Sequence, residues 1–594
     1  MSEDKTILST QNNQDTVVIA PLFEIDHWIN DLKNMSANDP LAPFQPLNLT
    51  CLARLFSTDR AKYESLRKDL SKCKVDVKRL EAAVKQEKKN VAAPGAQNTQ
   101  SNFLISLADD VEFFHDKESG AYAGIASDRG HTETWPVNSK GFNQWLTHKY
   151  YKSTGNAPSA DALKSALATL SAKAVSDGKE KEVYLRVASC NAKIYIDLCD
   201  KDWRVIEVDK TGYRVLDKPT VHFVRKKGML PLPLPEAGGH INELKRFVNV
   251  KGENGFILTV SWLLMALRGQ GPFPILILIG EQGTAKSTLT TILRRLVDPN
   301  SAALRTLPQD VRDLYIAAKN GWVLAFDNLS RLFAALSDAL CRLSTGGGFA
   351  TRTLFTDDEE ALFDAVRPIL MNGIENVGTR GDLADRSMIM LLEQILEQDR
   401  TTESELYNAF KSAHPRIFGA LLDMLVHGLQ NHESVALKEL PRMADFAIWA
   451  TACETKFWPS GSFMAAYAAN RAEANEDVIA ASPVATAIIE LLEAFPSWKG
   501  TAGALMGALT SIAENEIKNN HVYWPKTPKV LSEQVRRLAP ALRLMGVIIK
   551  YYRENGARII ELSRNDNSDV SVPAVTTATE KSQRSNSQRK RRKF

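Results

Sequence analysis

Among 594 residues there is no CxxC pair: Cys51, Cys73, Cys190, Cys199, Cys341 and Cys453 are scattered. Neither a thiolate zinc site nor a disulfide framework is written in that spacing, which fits a reducing, cytoplasmic compartment. Long apolar runs are missing too, none approaching the roughly 18 to 20 residues that span a bilayer. The start, Met1-Ser2-Glu3-Asp4, is acidic where a secretory signal is basic and then apolar, so neither export nor membrane insertion is expected. Charge of one sign is scarce: the net is +4, and the seven positives of residues 581–594, which hold no acid, leave the remainder at −3. Attraction for polyanions must then come from local patches or from that tail. What is present, 44% hydrophobic and 24% charged residues, suits a soluble globular chain of about two to four domains.

Along the chain, residues 1–20 are polar and read as a disordered lead. Residues 21–90 form a helical segment in which Tyr63, Leu66, Leu70, Val77, Leu80 and Val84 recur three, four or seven apart. That pattern predicts a long amphipathic helix or helix pair, packed on its own domain or docked on a partner. A linker over 91–102 leads to a mixed α+β domain at 103–240. There Val183, Leu185 and Val187, then Ile194, Ile196 and Leu198, then Trp203 and Val205, then Tyr213 and Val215 alternate as a β-meander. The acids and histidines of this domain (Asp109, Asp110, Glu112, His115, Asp116, His131, Glu133) include no two His at helix-face spacing, so solvated hairpin residues are expected rather than a metal site. Residues 241–400 alternate strand-like and helical runs, and 401–480 are mostly helical. In 483–563 a helix-compatible stretch from Lys529 to Met545 precedes two strand-like runs around Glu554-Asn555-Gly556, the way a winged helix finishes; 564–594 is a basic disordered tail.

The strongest signal is Pro274 to Ile279, an apolar strand, running into Gly280-Glu281-Gln282-Gly283-Thr284-Ala285-Lys286-Ser287-Thr288 and then a helical pattern. A glycine-containing loop between strand and helix N-terminus is a phosphate cradle: backbone N–H groups and the helix end attract the anion, Lys286 reaches the β and γ oxygens, and the Ser287 hydroxyl can ligate Mg²⁺. The second glycine of the usual pattern is Ala285 here, tolerable if φ stays negative, with Gly283 supplying the flexible position. A second apolar strand, Trp322 to Asp327, ends 41 residues after Lys286 in a carboxylate suited to a Mg²⁺ water shell. Asn328 follows where many ring ATPases place a glutamate; an amide orients water but cannot accept its proton, so Asp327 or Glu281 takes that part, or hydrolysis is slow. A third strand, Pro368 to Met371, ends at Asn372, placed to feel the γ-phosphate or the attacking water, or simply closing a turn before Gly373. Fourteen residues on, Arg386 precedes another apolar strand, where a guanidinium can cross a subunit boundary to a neighbour's γ-phosphate; Arg380 is the alternative. Between these strands, Gly346-Gly347-Gly348 and the alternating Arg352, Leu354 and Thr356 suggest a hairpin. It either carries Arg352 to a DNA backbone or is a surface hairpin whose acids, Asp357 to Glu360, repel DNA.

Together Gly280 to Ser287, Asp327, Thr345 to Arg352, Asn372 and Arg386, all within Pro274 to Leu392, resemble the superfamily 3 helicases of the AAA+ class. The likeness is to the poxvirus and satellite-phage primase-helicase type and to its prophage-encoded ATP-binding relatives. The triple-glycine segment resembles that group's B-prime motif, and Trp135-Pro136-Val137, Leu440 to Phe446 and Trp449 to Glu454 are similar to the prophage proteins. The resemblance implies a bacterial or phage-encoded ATPase that binds ATP and Mg²⁺. It also implies a homo-oligomeric ring, a hexamer, moving on single-stranded or forked DNA during replication of a phage or mobile element. No primase domain is recognisable, which leaves priming to a separate primase. The expected fold class is α/β: a P-loop NTPase core, a mixed α+β N-terminal domain, and a helical, winged-helix-like C-terminal region. Lys286, Asp327, Asn328, Asn372 and Arg386 are the expected catalytic residues, and Arg352, Arg536, Arg537, Lys550 and Arg553 the expected DNA contacts; on the helix these arginines equally fit a solvated face. A nucleotide-gated switch, as in a loader or a phage-defence regulator, is the alternative that Asn328 favours.

Overall fold

The computed structural model describes residues 25–91, 99–127, 130–329, 332–347, 349–352, 360–363, 365–373, 381–480, 482–513, 524–564 and 575–577. The lead, most of the 91–102 linker, Arg380 and most of the basic tail lie outside them, but within the tail expected to be disordered Val575–Thr577 forms a strand antiparallel to Val435–Leu437. Residues 1–106 with 158–166 make up a first compact unit, and all the rest a second. In the first, helices Ile25–Asn38, Pro46–Thr58, Arg60–Lys72 and Val77–Val91 are followed by a short one at Gln100–Ser106. The amphipathic stretch is thus a helix pair, broken where Lys74 takes a positive φ of 62°. The Asp59 side chain caps the first of the pair by accepting from the Lys62 N–H. Tyr63, Leu66, Leu70, Leu80 and Val84 are buried with Leu32, Leu52 and Leu55, so the unit's own helices cover the stripe.

The second unit opens with strands Glu112–His115, Ala121–Ala126 and Thr132–Pro136, antiparallel in succession, with Lys179–Glu180 joined parallel to the first. A meander follows at Val187–Cys190, Lys193–Asp197, Val205–Asp209 and Gly212–Leu216, each antiparallel to the next. Its first turn uses Asn191 and Ala192 at φ 52° and 58°, the paired positive φ that matches strand twist. Val183 does not continue that strand as its alternation suggested; Val183–Tyr184 pairs parallel with His222–Phe223 instead. The chain turns at Arg186, fully buried, whose Nε donates to Asp298 Oδ1 at 3.0 Å.

The site is carried by the next elements. Helix α1 (Gly252–Arg268) is buried at every residue from Phe256 to Leu267. Strand β1 (Ile275–Ile279) leads to α2 (Lys286–Val297), α3 (Val311–Asn320), β2 (Leu324–Leu329) and α4 (Ala334–Thr345). A hairpin of β3 (Phe349–Arg352) and β4 (Glu360–Phe363) precedes β5 (Ile369–Gly373) and β6 (Ser387–Leu391). The four-stranded sheet has the order β2-β5-β1-β6 and is parallel throughout. Its central strand needs apolar side chains on both faces. Leu276 and Leu278 join the cluster of α1 and α2, while Ile275 and Ile277 join Leu314, Tyr315, Leu336 and Leu340 of α3 and α4. Each such side chain contributes about 1.5–3 kcal/mol on burial.

Helices α5 (Glu403–Asn431), α6 (Ala444–Glu454) and α7 (Ser462–Ala480) pack beside this core. The outer edge of β6 is closed by Asn470 of α7, whose Nδ2 donates to Ile389 O at 2.5 Å and whose Oδ1 accepts from Ile389 N at 3.3 Å. The C-terminal region runs α8 (Pro483–Ala494), β7 (Ser497–Thr501), α9 (Ala502–Ile512), α10 (Pro528–Leu544), β8 (Val547–Glu554) and β9 (Ala557–Arg564). Its sheet has the order β7-β9-β8, and Asn555 and Gly556 turn the hairpin with φ of 49° and 79°. Leu491, Leu505, Leu531, Val535, Ile549 and Leu562 form its own core. Among the described residues no helix is long and apolar enough to cross a membrane.

Candidate nucleotide site

Parallel strands point their C-terminal ends the same way, and three of those ends meet at the loop between β1 and α2. Register pairs Leu278 with Asn372 and Phe326 with Met371, which sets Asp327 beside Asn372 and starts the loop at Gly280 two residues beyond them. Ser287 Oγ donates to Asp327 Oδ1 at 2.7 Å. Lys286 Nζ donates to the carbonyls of Gly280 and Glu281, both at 2.7 Å, folding back over the loop. Thr284 is buried and its hydroxyl donates to Glu281 O at 2.9 Å, closing the loop on itself. Glu281, Gln282, Gly283 and Ser287 are exposed, and Lys286 and Thr288 half-buried.

Ala285 departs from expectation. Its φ is 56° and ψ 34°, in the left-handed region that the sequence reading required it to avoid, while Gly283 has φ 89°. Ala285 is the N-cap of α2, where the loop turns into the helix and the Ala285 carbonyl accepts from the Leu289 N–H at 2.9 Å. An L-residue there costs about 1–2 kcal/mol, which neighbouring bonds must offset. Asn328 is also left-handed, φ 56°, where β2 bulges between Phe326 and Leu329. Asparagine tolerates that region, and this one is exposed at the strand end.

Asn372 is 1% exposed, and both halves of its amide are engaged. Oδ1 accepts from the Asn328 N–H at 2.9 Å and Nδ2 donates to Thr290 Oγ1 at 2.8 Å. It ties β5 to β2 and α2 rather than standing free in the cleft. Thr290 gave no motif signal beyond its place one turn after Lys286 on the same helix. Asn249 gave none at all, yet its Nδ2 donates to Thr284 O at 2.7 Å and to Glu393 O at 3.2 Å, joining the loop to the segment after β6. That segment adds two more neighbours. Gln394 Nε2 donates to Glu281 Oε2, and Arg400 Nη2 lies 3.8 Å from where a Cβ on Gly283 would stand.

Arg386 lies at the other end of the sheet. Its carbonyl accepts from the N–H of Ile275, the first residue of β1, at 2.9 Å. The strand from there to Gly280 covers about 16 Å at 3.3 Å per residue, beyond the reach of an arginine side chain. Nη1 donates to Asp382 O at 2.9 Å, and the buried Nε makes no hydrogen bond among the described residues. Ala384, the last residue of the short helix Gly381–Ala384, packs on the C-terminal core. Arg352 is placed by its backbone on β3, opposite Glu360. Arg536, Arg537, Lys550 and Arg553 are exposed on α10 and β8, and the Arg536 guanidinium sits 5.2 Å from the centre of the Tyr551 ring.

Among the described residues no group of three or more His, Cys, Asp or Glu could hold a metal ion. Mg²⁺ bound with a nucleotide needs only one or two protein oxygens, the rest coming from phosphate and water, and Ser287 with Asp327 supplies such a pair.

No curated protein matches the chain. A solved structure of the SCCmec type IV Cch active helicase resembles it at 12% identity and a TM-score of 0.40, covering 76% of this chain and 92% of that one. The apo C-terminal region of NrS-1 resembles it at 12% identity and a TM-score of 0.37, covering 79% of this chain and 100% of that one. Residues 241–477 match the family model described as actinomycete integrative conjugative element replication protein, and residues 484–581 match the AICE RepA C-terminal domain. Over those two stretches, which take in the whole β1-to-β6 sheet and the C-terminal three-stranded sheet, the chain is similar to the replication proteins of actinomycete integrative conjugative elements.

Proposed function

We propose that this protein is an ATP-driven DNA helicase or translocase that works as a homo-oligomeric ring in replicating an integrative conjugative element. The core is then a P-loop NTPase of the AAA+, superfamily 3-like kind, and the C-terminal region a winged helix. One observation carries the reading: the Ser287 hydroxyl and the Asp327 carboxylate touch at the mouth of a loop whose lysine already lies across it. Three strand ends, a helix N-terminus and a lysine converging on one spot suit a triphosphate with its Mg²⁺. Bound there, the ion would neutralise charge developing on the phosphates. Lys286 exchanges its loop carbonyls for phosphate oxygens, Ser287 and Asp327 hold the ion and its water, and Gly280 to Thr288 cradle the anion. Asn372, through the N–H of Asn328, sets the position of the side chain facing the attacking water.

The placement of Arg386 at the far end of β1 supports a ring, since it can act only on a second copy's nucleotide. The family-model match to replication proteins supports the biological setting. Exposed Arg536, Arg537, Lys550 and Arg553 beside exposed Tyr551 and Tyr552 suit phosphate contact and base stacking. Arg352 would contact the translocated strand. The test is ATP turnover with and without single-stranded DNA, comparing the native protein with Lys286→Ala and Arg386→Ala. DNA-stimulated turnover lost in both variants supports the motor. Turnover that ignores DNA moves the assignment to a nucleotide-gated switch, the reading that Asn328 favours because an amide cannot take the proton of water.

A further inference from the structure

Asp385, the residue before Arg386, gathers two more arginines from distant elements. Its Oδ1 lies 3.4 Å from Arg471 Nη2 on α7, and its Oδ2 lies 3.6 Å from Arg442 Nη1, just ahead of α6. Arg386 Nη1 donates to Asp382 O at 2.9 Å, so the Arg386 and Arg442 guanidiniums are both held by the short segment from Asp382 to Asp385. The patch sits at the sheet end remote from its own phosphate loop, as Arg386 does.

These ion pairs have little to do with stability. A charge-assisted bond is ordinarily about 2.7–2.9 Å, and partly exposed pairs contribute about 0–1 kcal/mol. Arg442 is 46% exposed, and one long contact leaves most of its five donors for another anion.

We infer that Arg442 is a second trans-acting guanidinium: with Arg386 it contacts the terminal phosphates of a nucleotide held by the phosphate loop of an adjoining copy, and Asp385 keeps the pair together. The inference rests on the ring reading above. Two cations from one face of a protomer would let the neighbour's site distinguish a triphosphate from a diphosphate, since the γ-phosphate is the group they can share.

The test uses the full chain carrying Arg442→Ala or Arg442→Lys, with Arg386→Ala and Lys286→Ala as references. Arg442→Ala should lower kcat on the order of a thousandfold, with ADP affinity unchanged. Arg442→Lys should fold equally well and recover only part of the rate, because a point charge cannot reproduce a forked contact. Mixing Arg442→Ala with Lys286→Ala should restore turnover, since some interfaces then pair an intact loop with an intact Arg442. A mixture that stays inactive, or Arg442→Ala turning over at the native rate while Arg386→Ala does not, overturns the inference and leaves the ring reading standing. Native protein without turnover, or Arg386→Ala at the native rate, defeats both.

Discussion

Ser287 and Asp327, 40 positions apart in the chain, are joined by a hydrogen bond of 2.7 Å, hydroxyl to carboxylate. The helix after β1 supplies one and the tip of β2 the other, so the pair exists only because β5 spaces the two strands correctly.

Removing the charge of Asp327 while keeping its shape should separate ion binding from packing. Asp327→Asn is expected to weaken Mg²⁺-dependent ATP binding by about tenfold to a hundredfold and to leave thermal stability nearly unchanged. Titration of a fluorescent ATP analogue with and without a chelator reads the difference. Unaltered Mg²⁺ dependence would take Asp327 out of the site.

Ala285→Gly should stabilise the protein. Glycine relieves a left-handed strain worth about 1–2 kcal/mol and loses about 0.5–1 kcal/mol of that through greater unfolded-state freedom. Urea unfolding should show a midpoint shifted up by the remainder, with nucleotide affinity equal or tighter. A lower midpoint would mean the methyl group makes contacts that outweigh the strain.

Asn372→Ala leaves the Asn328 N–H without its partner, while the Thr290 hydroxyl keeps its bond to Lys286 O at 2.8 Å. The expected cost is about 1–3 kcal/mol for the group left unsatisfied, and turnover should fall further than nucleotide affinity because Asn328 loses its anchor. Parallel kcat and KM measurements beside a melting curve test this; a stability loss with kcat intact would confine Asn372 to packing.

The buried ion pair of Arg186 and Asp298 links the strand region before the meander to the end of α2. Asp298 Oδ2 also accepts from the N–H groups of Trp322 and Val323 at 3.2 and 3.1 Å, just before β2. Asp298→Ala strands a fully buried guanidinium and should cost about 3–5 kcal/mol, read as a large drop in denaturation midpoint. Replacing both partners with apolar residues should cost much less.

His414 is buried on α5 between Phe410 and Phe418. Burial first, then the nearby Arg295, pushes its pKa from the ordinary 6.5 down to about 3. The folded state therefore keeps the imidazole neutral while the unfolded chain takes up a proton below about 6.5. Its contribution is full above that pH and is lost as pH falls toward about 3. His414→Phe should flatten the stability profile over this window by up to about 1.4 kcal/mol per pH unit. Midpoints of urea unfolding measured from pH 7 to pH 5 check the slope; an unchanged slope would assign the acid sensitivity elsewhere.

Local chemistry was legible in the residues themselves. Six apolar residues followed by Gly280 to Thr288 state a strand, a turn and a helix start within one short stretch, and Asn555-Gly556 states its hairpin in two residues. The alternation from Val183 to Val187 misled, because a buried arginine at 186 bent the chain into another pairing. The left-handed φ of Ala285, the double engagement of Asn372, the bracing of the loop by Asn249 and the meeting of Asp385 with Arg442 and Arg471 came only with tertiary structure. A dihedral or a turn is chosen by atoms a few bonds apart, which residue identity describes. Which side chains meet across 35, 44 or 57 positions is settled by strand order and helix packing, and those depend on burying the whole set of apolar faces at once.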